Sequence, residues 1–381
     1  MASPGTQPAR DAGSVEPRGR GVGSRRKIAC LSRAPWNPYL RLLYAHLRDH
    51  GFELAEESQL SVGWLWRSRG DVRFLHVHWP ENLYRYGGGQ SRVRRALSWV
   101  KLGAFAWRLF VARLLGYRLV WTIHQPLPHE SPDRRLDRLA ARRLARSCHL
   151  LLAHDAWTAA SAAVELRVPP ERIALVPHGS YLDVYPERRS RSEVRAELEI
   201  GDQSFVFLSF GELRGYKRPE LLLEAFSSAS LADARLVVAG HPKFAAVGAR
   251  LREAAKRDPR IVLLLDWIPE DRVADLFHAC DAALFLRSDG GTSGSLVLAV
   301  SLGLAVVASD TPTARELTRD GEAGWLFESG SVPSLCAALE RACADPEAAR
   351  ARGRRALEIA SELDWSDIAA RIALLLERVE R

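Results

Sequence analysis

No stretch of about 18 uninterrupted apolar residues occurs in this 381-residue chain, so a helix crossing a bilayer is not expected. The first 26 residues are rich in Gly, Pro, Ser and Arg but lack an apolar core, which argues for a disordered tail rather than a secretory leader. Cysteine is scarce: Cys30, Cys148, Cys280, Cys336 and Cys343 are scattered, odd in number and never in a C-x-x-C pair. That excludes a zinc ribbon and a disulfide framework and points to a reducing, cytoplasmic setting. No Asp-x-Asp pair stands where it could hold a divalent metal, and no nucleic-acid-binding motif accompanies the net charge of +8.

What is present has a direction along the chain. Up to Pro186 there are 28 Lys and Arg against 15 Asp and Glu, whereas beyond it 26 stand against 31. The basic half suits an anionic partner, either a phospholipid surface or a phosphorylated acceptor. From Lys27 onward short apolar runs alternate with longer amphipathic ones, the pattern of β-α-β units and a parallel sheet.

The runs predict strands over Lys27–Ser32, Val72–Trp79, Arg118–His124, His149–His154 and Ile173–Pro177. After an Arg- and Glu-rich stretch they restart over Phe205–Phe210, Arg235–Ala239, Ile261–Leu265, Ala282–Leu286, Ala305–Ala308 and Gly324–Phe327. The expected organisation is two doubly wound Rossmann-like α/β domains, residues 27–180 and 200–345, facing a cleft. Residues 181–199 would link them, and helices over 346–381 would end the chain, packing back on the first domain. Ligands belong at the carboxyl ends of such strands.

The candidate site residues sit at those ends. Gly290-Gly291-Thr292-Ser293-Gly294-Ser295 lies between a strand and an apolar helix, where glycine backbone, hydroxyls and a helix N-terminus can bind a diphosphate. An ordinary capping loop is the alternative. Gly211-Glu212-Leu213-Arg214-Gly215-Tyr216-Lys217 also follows a buried strand, and Arg214 and Lys217 could grip phosphate or simply be solvated. In the first half, His124 ends a strand and could bond a sugar hydroxyl or a phosphate, or merely cap the strand. His129 and Glu130 follow it. His76 and His78 share a strand face without a third metal ligand nearby, so metal is not expected there. His78, Glu81 and Glu130 are candidates for the acceptor side. The stretch Ser91–Leu115 mixes Arg92, Arg94, Arg95, Lys101, Arg108 and Arg113 with Trp99, Phe105, Trp107 and Phe110. It suits a bilayer interface or a core helix, and only the first explains why its charges are all positive.

From about Lys27 to Arg381 the sequence resembles the "group 1" family of GT-B glycosyltransferases, most of which are retaining. The resemblance implies that Gly211, Arg214 and Lys217 hold the donor diphosphate, although Glu212 stands where the family arginine often does. It implies that the Asp266–Pro269 loop, with Trp267 and Ile268, holds the donor base. Glu316, Gly321 and Gly324 match the closing E-x-x-x-x-G-x-x-G pattern, and His124 matches the histidine near the donor sugar. Two glutamates eight residues apart are usual in the family; counting back from Gly303, Gly290 and Leu298 occupy those places here. Asp289 could replace the first, and the loop resembles a subgroup variant using hydroxyls and backbone.

The implied activity is metal-independent transfer of a hexose from a nucleotide sugar, a UDP-sugar for example, needing no cofactor beyond that co-substrate. Arg214, Lys217 and His124 would carry the catalysis, and Gly291 to Ser295 the donor. The acceptor would be a glycan, a lipid-linked glycan or a small molecule, with peripheral contact to the inner face of an anionic membrane. A retaining outcome is expected, and an inverting one would need Glu81, Glu130 or Asp155 as base. A nucleotide-sugar epimerase and a degenerate donor-binding partner of another transferase are the rival readings.

Overall fold

The computed structural model describes residues 26–32, 37–86, 91–287 and 290–381. All but the last residue of the expected N-terminal tail lie outside that range, as does Asp289. The first domain comprises β1 (Arg26–Cys30), α1 (Pro38–Asp49), β2 (Phe52–Leu54), α2 (Val62–Ser68), β3 (Val72–Val77), α3 (Glu81–Tyr84), α4 (Arg92–Leu114), β4 (Arg118–Ile123), α5 (Arg134–Ser147), β5 (Leu150–Ala153), α6 (Ala156–Leu166) and β6 (Ile173–Leu175). The second comprises α7 (Arg191–Glu197), β7 (Phe205–Phe210), α8 (Pro219–Ser228), β8 (Ala234–Ala239), α9 (Ala245–Arg257), β9 (Ile261–Leu264), α10 (Glu270–His278), β10 (Ala282–Phe285), α11 (Gly294–Ser301), β11 (Ala305–Ser309), α12 (Pro312–Thr318) and β12 (Gly324–Phe327). Helices α13 (Val332–Ala344), α14 (Pro346–Ser361) and α15 (Trp365–Glu380) complete the chain.

Each domain holds a six-stranded, all-parallel sheet. The orders are β2-β1-β3-β4-β5-β6 and β12-β11-β10-β7-β8-β9. Strands such as Leu-Val-Trp-Thr-Ile of β4 are covered on both faces, which is why they read as unbroken apolar runs. The order of strand addition reverses between β1 and β3 in one sheet and between β7 and β10 in the other, and a crevice opens at such switch points. The loops after β7 and β10, which carry the two most distinctive sequence motifs, therefore meet at one place.

Two expected boundaries change. The segment read as a linker belongs largely to the second domain: Tyr181, Val194 and Leu198 join its core. Helix α7 is capped by Ser190, whose side chain accepts from Glu193 N while Glu193 reaches back. Arg195 is fully buried and donates to Asp281 Oδ2 at 2.8 Å and to the carbonyls of Ala279, Asp202 and Ser204. A stretch full of Arg and Glu hides that anchor, because polarity reads as exposure.

At the other end only α15 packs on the first domain. Its Trp365, Ile368, Ile372 and Leu376 lie against Leu43, Leu47 and Val120, while Ala356 and Ile359 of α14 stay with the second core. The chain thus passes between domains twice, and the two passages touch. Ser180 N donates to Leu363 O at 2.9 Å, and Trp365 Nε1 to Ser180 O at 2.7 Å. Gly179 has no side chain because a Cβ there would collide with the Trp365 ring.

Candidate active site

The cleft between the sheets is a cavity of about 1140 Å³. The loop after β7 forms one wall. Gly211 takes φ of +98°, open to glycine at little cost, and a Cβ there would lie 3.0 Å from both Lys217 Nζ and Ser295 Oγ. The Lys217 ammonium and the start of α11 therefore converge on the tip of β7, on the same side of the sheet.

Lys217 is half-buried at the cavity wall and donates weakly to Phe210 O at 3.3 Å. Burial, helped by the Arg287 and Arg214 charges and opposed by Glu212, pushes its pKa down to about 8. A half-buried ammonium among guanidinium groups is a site that an anion would relieve.

Arg214 is held by Glu212, with Nε to Oε2 at 2.7 Å, and faces Glu130 of the first domain at 3.6 Å. Glu130 therefore serves in this structure as a partner of Arg214 across the cleft. Beside this pair Tyr216 stacks on His129 with ring centroids 4.5 Å apart, and the Arg287 guanidinium stands 5.3 Å from the Tyr216 ring centre. Arg287 Nη2 is 3.2 Å from His129 Nε2. Sequence reasoning passed over Arg287; its only signal is its position two residues past the end of β10.

The loop before α11 departs in part from its expected role. Ser293, Gly294 and Ser295 line the cavity. Thr292 lines it too, but its amide donates to Asp155 Oδ2 at 3.2 Å and its hydroxyl bonds the same oxygen. Asp155 also caps α6 through Thr158 N at 2.6 Å, so it is a fastener between domains and its oxygens are occupied. Gly290 fits because a Cβ would lie 2.5 Å from the Trp157 ring, which leaves no room there for the family's glutamate. Gly291 lies beside His124 O and Arg287.

Trp267, Ile268 and Glu316 are outside the cavity wall: Trp267 is exposed, Ile268 packs against the second core, and Glu316 is exposed on α12. Partial desolvation and the nearby Asp155 raise the Glu316 pKa. On the opposite wall His124 and Glu81 line the cavity. Burial raises the Glu81 pKa against the pull of Arg85 and Arg214. His78 does not reach the cleft. It is 1% exposed and sits behind His124, so its assignment to the acceptor side is corrected. Among the described residues no group of three or more His, Cys, Asp or Glu side chains is arranged to hold a metal ion.

Comparison with known proteins decides the family. Residues 190–358 match the family described as Glycosyl transferases group 1, and residues 98–183 match Glycosyltransferase Family 4. A GDP-mannose:glycolipid 4-beta-D-mannosyltransferase of Xanthomonas campestris pv. campestris is 28% identical over 291 residues, 76% of this chain and 75% of that protein. A D-inositol 3-phosphate glycosyltransferase of Thermobispora bispora is 27% identical over 246 residues, 59% of this chain and 56% of that one. The crystal structure of Anabaena HepE in complex with UDP shares the fold, with a TM-score of 0.71 at 19% identity, covering 93% of this chain and 100% of that one. Over residues 190–358 the chain is a group 1 glycosyltransferase module, and its fold is GT-B.

The transferase carries a histidine-rich floor beneath its cleft. His76, His78, His124, His154 and His178 cluster around Tyr39, whose ring centre is 5.1 Å from that of His124 and 4.8 Å from that of His178. His124 also stacks on Trp79 at 4.4 Å. Burial pushes the pKa values of His76 and His178 down to about 3 and holds His78 and His124 well below the ordinary histidine value. The floor is neutral while the facing wall is cationic, a division that steers an anionic leaving group toward the second domain.

Proposed function

We propose that the transferase moves a hexose from a nucleoside-diphosphate sugar to a hydroxyl of a glycolipid, without a metal ion. The observation that carries this reading is the convergence of Lys217 Nζ and Ser295 Oγ on Gly211, at the mouth of a cleft lined on its other wall by His124 and Glu81. Negative charge grows on the diphosphate as the glycosidic bond breaks. Preorganised cations and a helix N-terminus stabilise it more in the transition state than before. Lys217, Arg287 and the start of α11 supply these groups, and Arg214 joins them when it leaves Glu212.

Retention of anomeric configuration is the family-based expectation. Inversion is favoured by two observations. Glu81 lines the cleft with a pKa raised by burial, as a general base requires, and the Xanthomonas relative is by name a β-transferase. One experiment tests both levels. The protein is incubated with UDP- and GDP-sugars and a short-chain glycolipid, and the product's anomeric coupling is read by NMR. Product of either configuration supports transfer, and its anomer chooses the mechanism. Donor consumed without acceptor supports an epimerase instead, and donor bound but never consumed supports a degenerate partner.

The lipid part of the proposal rests on α4. Its inner face buries Leu102, Phe105 and Leu109, yet its outer face exposes Val93, Leu97, Val100, Trp107, Phe110 and Leu114, each between 49% and 74% accessible. Its six Lys and Arg flank that stripe, and Arg92–Leu114 contains no Asp or Glu. Arg134, Arg135, Arg143 and Arg146 of the adjoining α5 are exposed as well. An apolar stripe edged by cations fits the headgroup boundary of an anionic bilayer, whereas a second copy of this face would repel it. No helix among the described residues is long and apolar enough to cross a membrane.

The protein is expected to sediment with phosphatidylglycerol vesicles and not with phosphatidylcholine vesicles. Binding should weaken as salt approaches about 1 M, where screening acts over roughly 3 Å. A Trp107→Ser, Phe110→Ser variant should lose most of the binding. Equal binding to both vesicle types, or to neither, would overturn the assignment.

A further inference from the structure

A file of buried polar side chains runs through the first domain and reaches the cleft at one ring. Thr122 Oγ1 lies 2.9 Å from His76 Nε2, and His76 Nδ1 lies 3.0 Å from the Tyr44 hydroxyl. That hydroxyl is 3.2 Å from His78 Nε2, and His78 Nδ1 is 3.2 Å from His124 Nε2. Of the three imidazoles only His124 lines the cavity. Thr122, His76, His78 and Tyr44 are all buried, and phosphate stabilisation uses none of them. Burying so many polar groups is tolerable only if each is hydrogen-bonded.

We infer that this file is a tautomer clamp on His124, with Tyr44 as the positioning residue. A neutral imidazole has one N–H and one lone pair, and Tyr44 has a single proton to give to one of its two flanking nitrogens. All four contacts can be satisfied together in only two ways, with every donor pointing toward His124 or every donor pointing away from it. In the second arrangement His76, His78 and His124 are all Nε2–H, the commoner tautomer of a neutral histidine side chain, and that preference selects it. His124 Nε2–H donates to His78 Nδ1, His78 Nε2–H to the Tyr44 oxygen, the Tyr44 hydroxyl to His76 Nδ1, and His76 Nε2–H to Thr122 Oγ1.

The consequence is chemical selectivity at the cleft. The remaining nitrogen of His124, Nδ1, carries a lone pair, so it accepts a hydrogen bond from a hydroxyl and repels a phosphate oxygen. Thus, within the donor-site reading above, His124 orients a hydroxyl, while the anion is left to Lys217 and Arg287. The ring stays neutral because the groups around it offer no counter-charge. Tyr39 packs against His78, His124 and His154, His178 lies beyond, and Cys30 lies beside Tyr44. Among the described residues Asp155 is the carboxylate beside this cluster; it acts on His154 and is bound by Thr158 and Thr292.

Long-range proton–nitrogen NMR of the full chain with labelled histidine tests the clamp directly. Signals are assigned by their loss in single-histidine variants. Wild type is expected to show His76, His78 and His124 as single Nε2–H tautomers near pH 7.5. Tyr44→Phe keeps the ring but removes the link, and should leave His78 and His124 averaging between tautomers. Its kcat should fall about tenfold with the nucleotide-sugar KM within about twofold, the signature of a transition-state effect. An Nδ1–H signal for His124 in the wild type, or unchanged spectra in Tyr44→Phe, would overturn the inference. The wild-type spectrum needs neither a stable variant nor any turnover, so a failed transfer assay would count against the proposed function and leave the tautomer result standing.

Discussion

Lys217→Ala is expected to lower kcat by about 10²- to 10³-fold, the usual cost of removing one preorganised group from a developing oxyanion. The fold should not suffer. Lys217 makes one long hydrogen bond, to Phe210 O, and its pKa near 8 means that the folded state resists its charge. The sign is clear: below pH 8 the ammonium is charged in both folded and unfolded chains, and the folded one bears the penalty, which lifts as pH rises through 8 toward 10.5.

At about 1.4 kcal/mol per pKa unit the penalty is on the order of 3 kcal/mol, so the alanine variant should melt no lower than wild type. The same residue sets a second readout. A bound diphosphate favours the charged form, so nucleotide affinity should fall as pH rises above about 8, approaching tenfold per unit, in wild type but not in Lys217→Ala. Calorimetric titration between pH 7 and 9.5 checks this. Unchanged turnover in Lys217→Ala, or a pH-independent affinity in wild type, would remove Lys217 from the donor site.

The second large effect is acid sensitivity. His76, His78, His124 and His178 are neutral in the fold because burial depresses their pKa values, to about 3 for His76 and His178. In the unfolded chain each takes a proton near pH 6.5. Stability is therefore fully present above that pH and drains away as pH falls toward 3. Four groups together approach about 5 kcal/mol per pH unit, against a total stability of roughly 5–15 kcal/mol for a typical domain. Cooperative unfolding is expected between about pH 5.5 and 4, followed by circular dichroism at constant temperature. A melting temperature flat from pH 7 to 4 would show that these rings are accessible.

Much of this architecture could be read from the chain, and its failures share a cause. Phe205–Phe210 and Gly324–Phe327 were legible to the residue because strands covered on both faces need apolar side chains throughout. β2 was missed because an edge strand of three residues, Phe-Glu-Leu, has no room for a period. α7 was missed because its key buried residue is Arg195, whose partner Asp281 is far away in sequence. At the site, Gly211, Lys217, Ser295 and His124 could be found from their place just past strand ends. The depth of His78, the capture of Thr292 by Asp155 and the meeting of Arg287 with His129 depend on how elements distant in sequence come together. No local pattern carries that.

The paired passages at Ser180 and Leu363 bear on how such enzymes diversify. Because α15 completes the first domain from the far end of the chain, that domain is split in sequence and the second lies as one insert between its two parts. An exchange of donor halves between relatives succeeds only with two breakpoints, one near Ser180 and one near Leu363. A chimera cut at the first alone would inherit a foreign Trp365 against its own Gly179. Altering the loops at the strand tips is therefore expected to change donor or acceptor choice with less damage to the fold than exchanging whole modules.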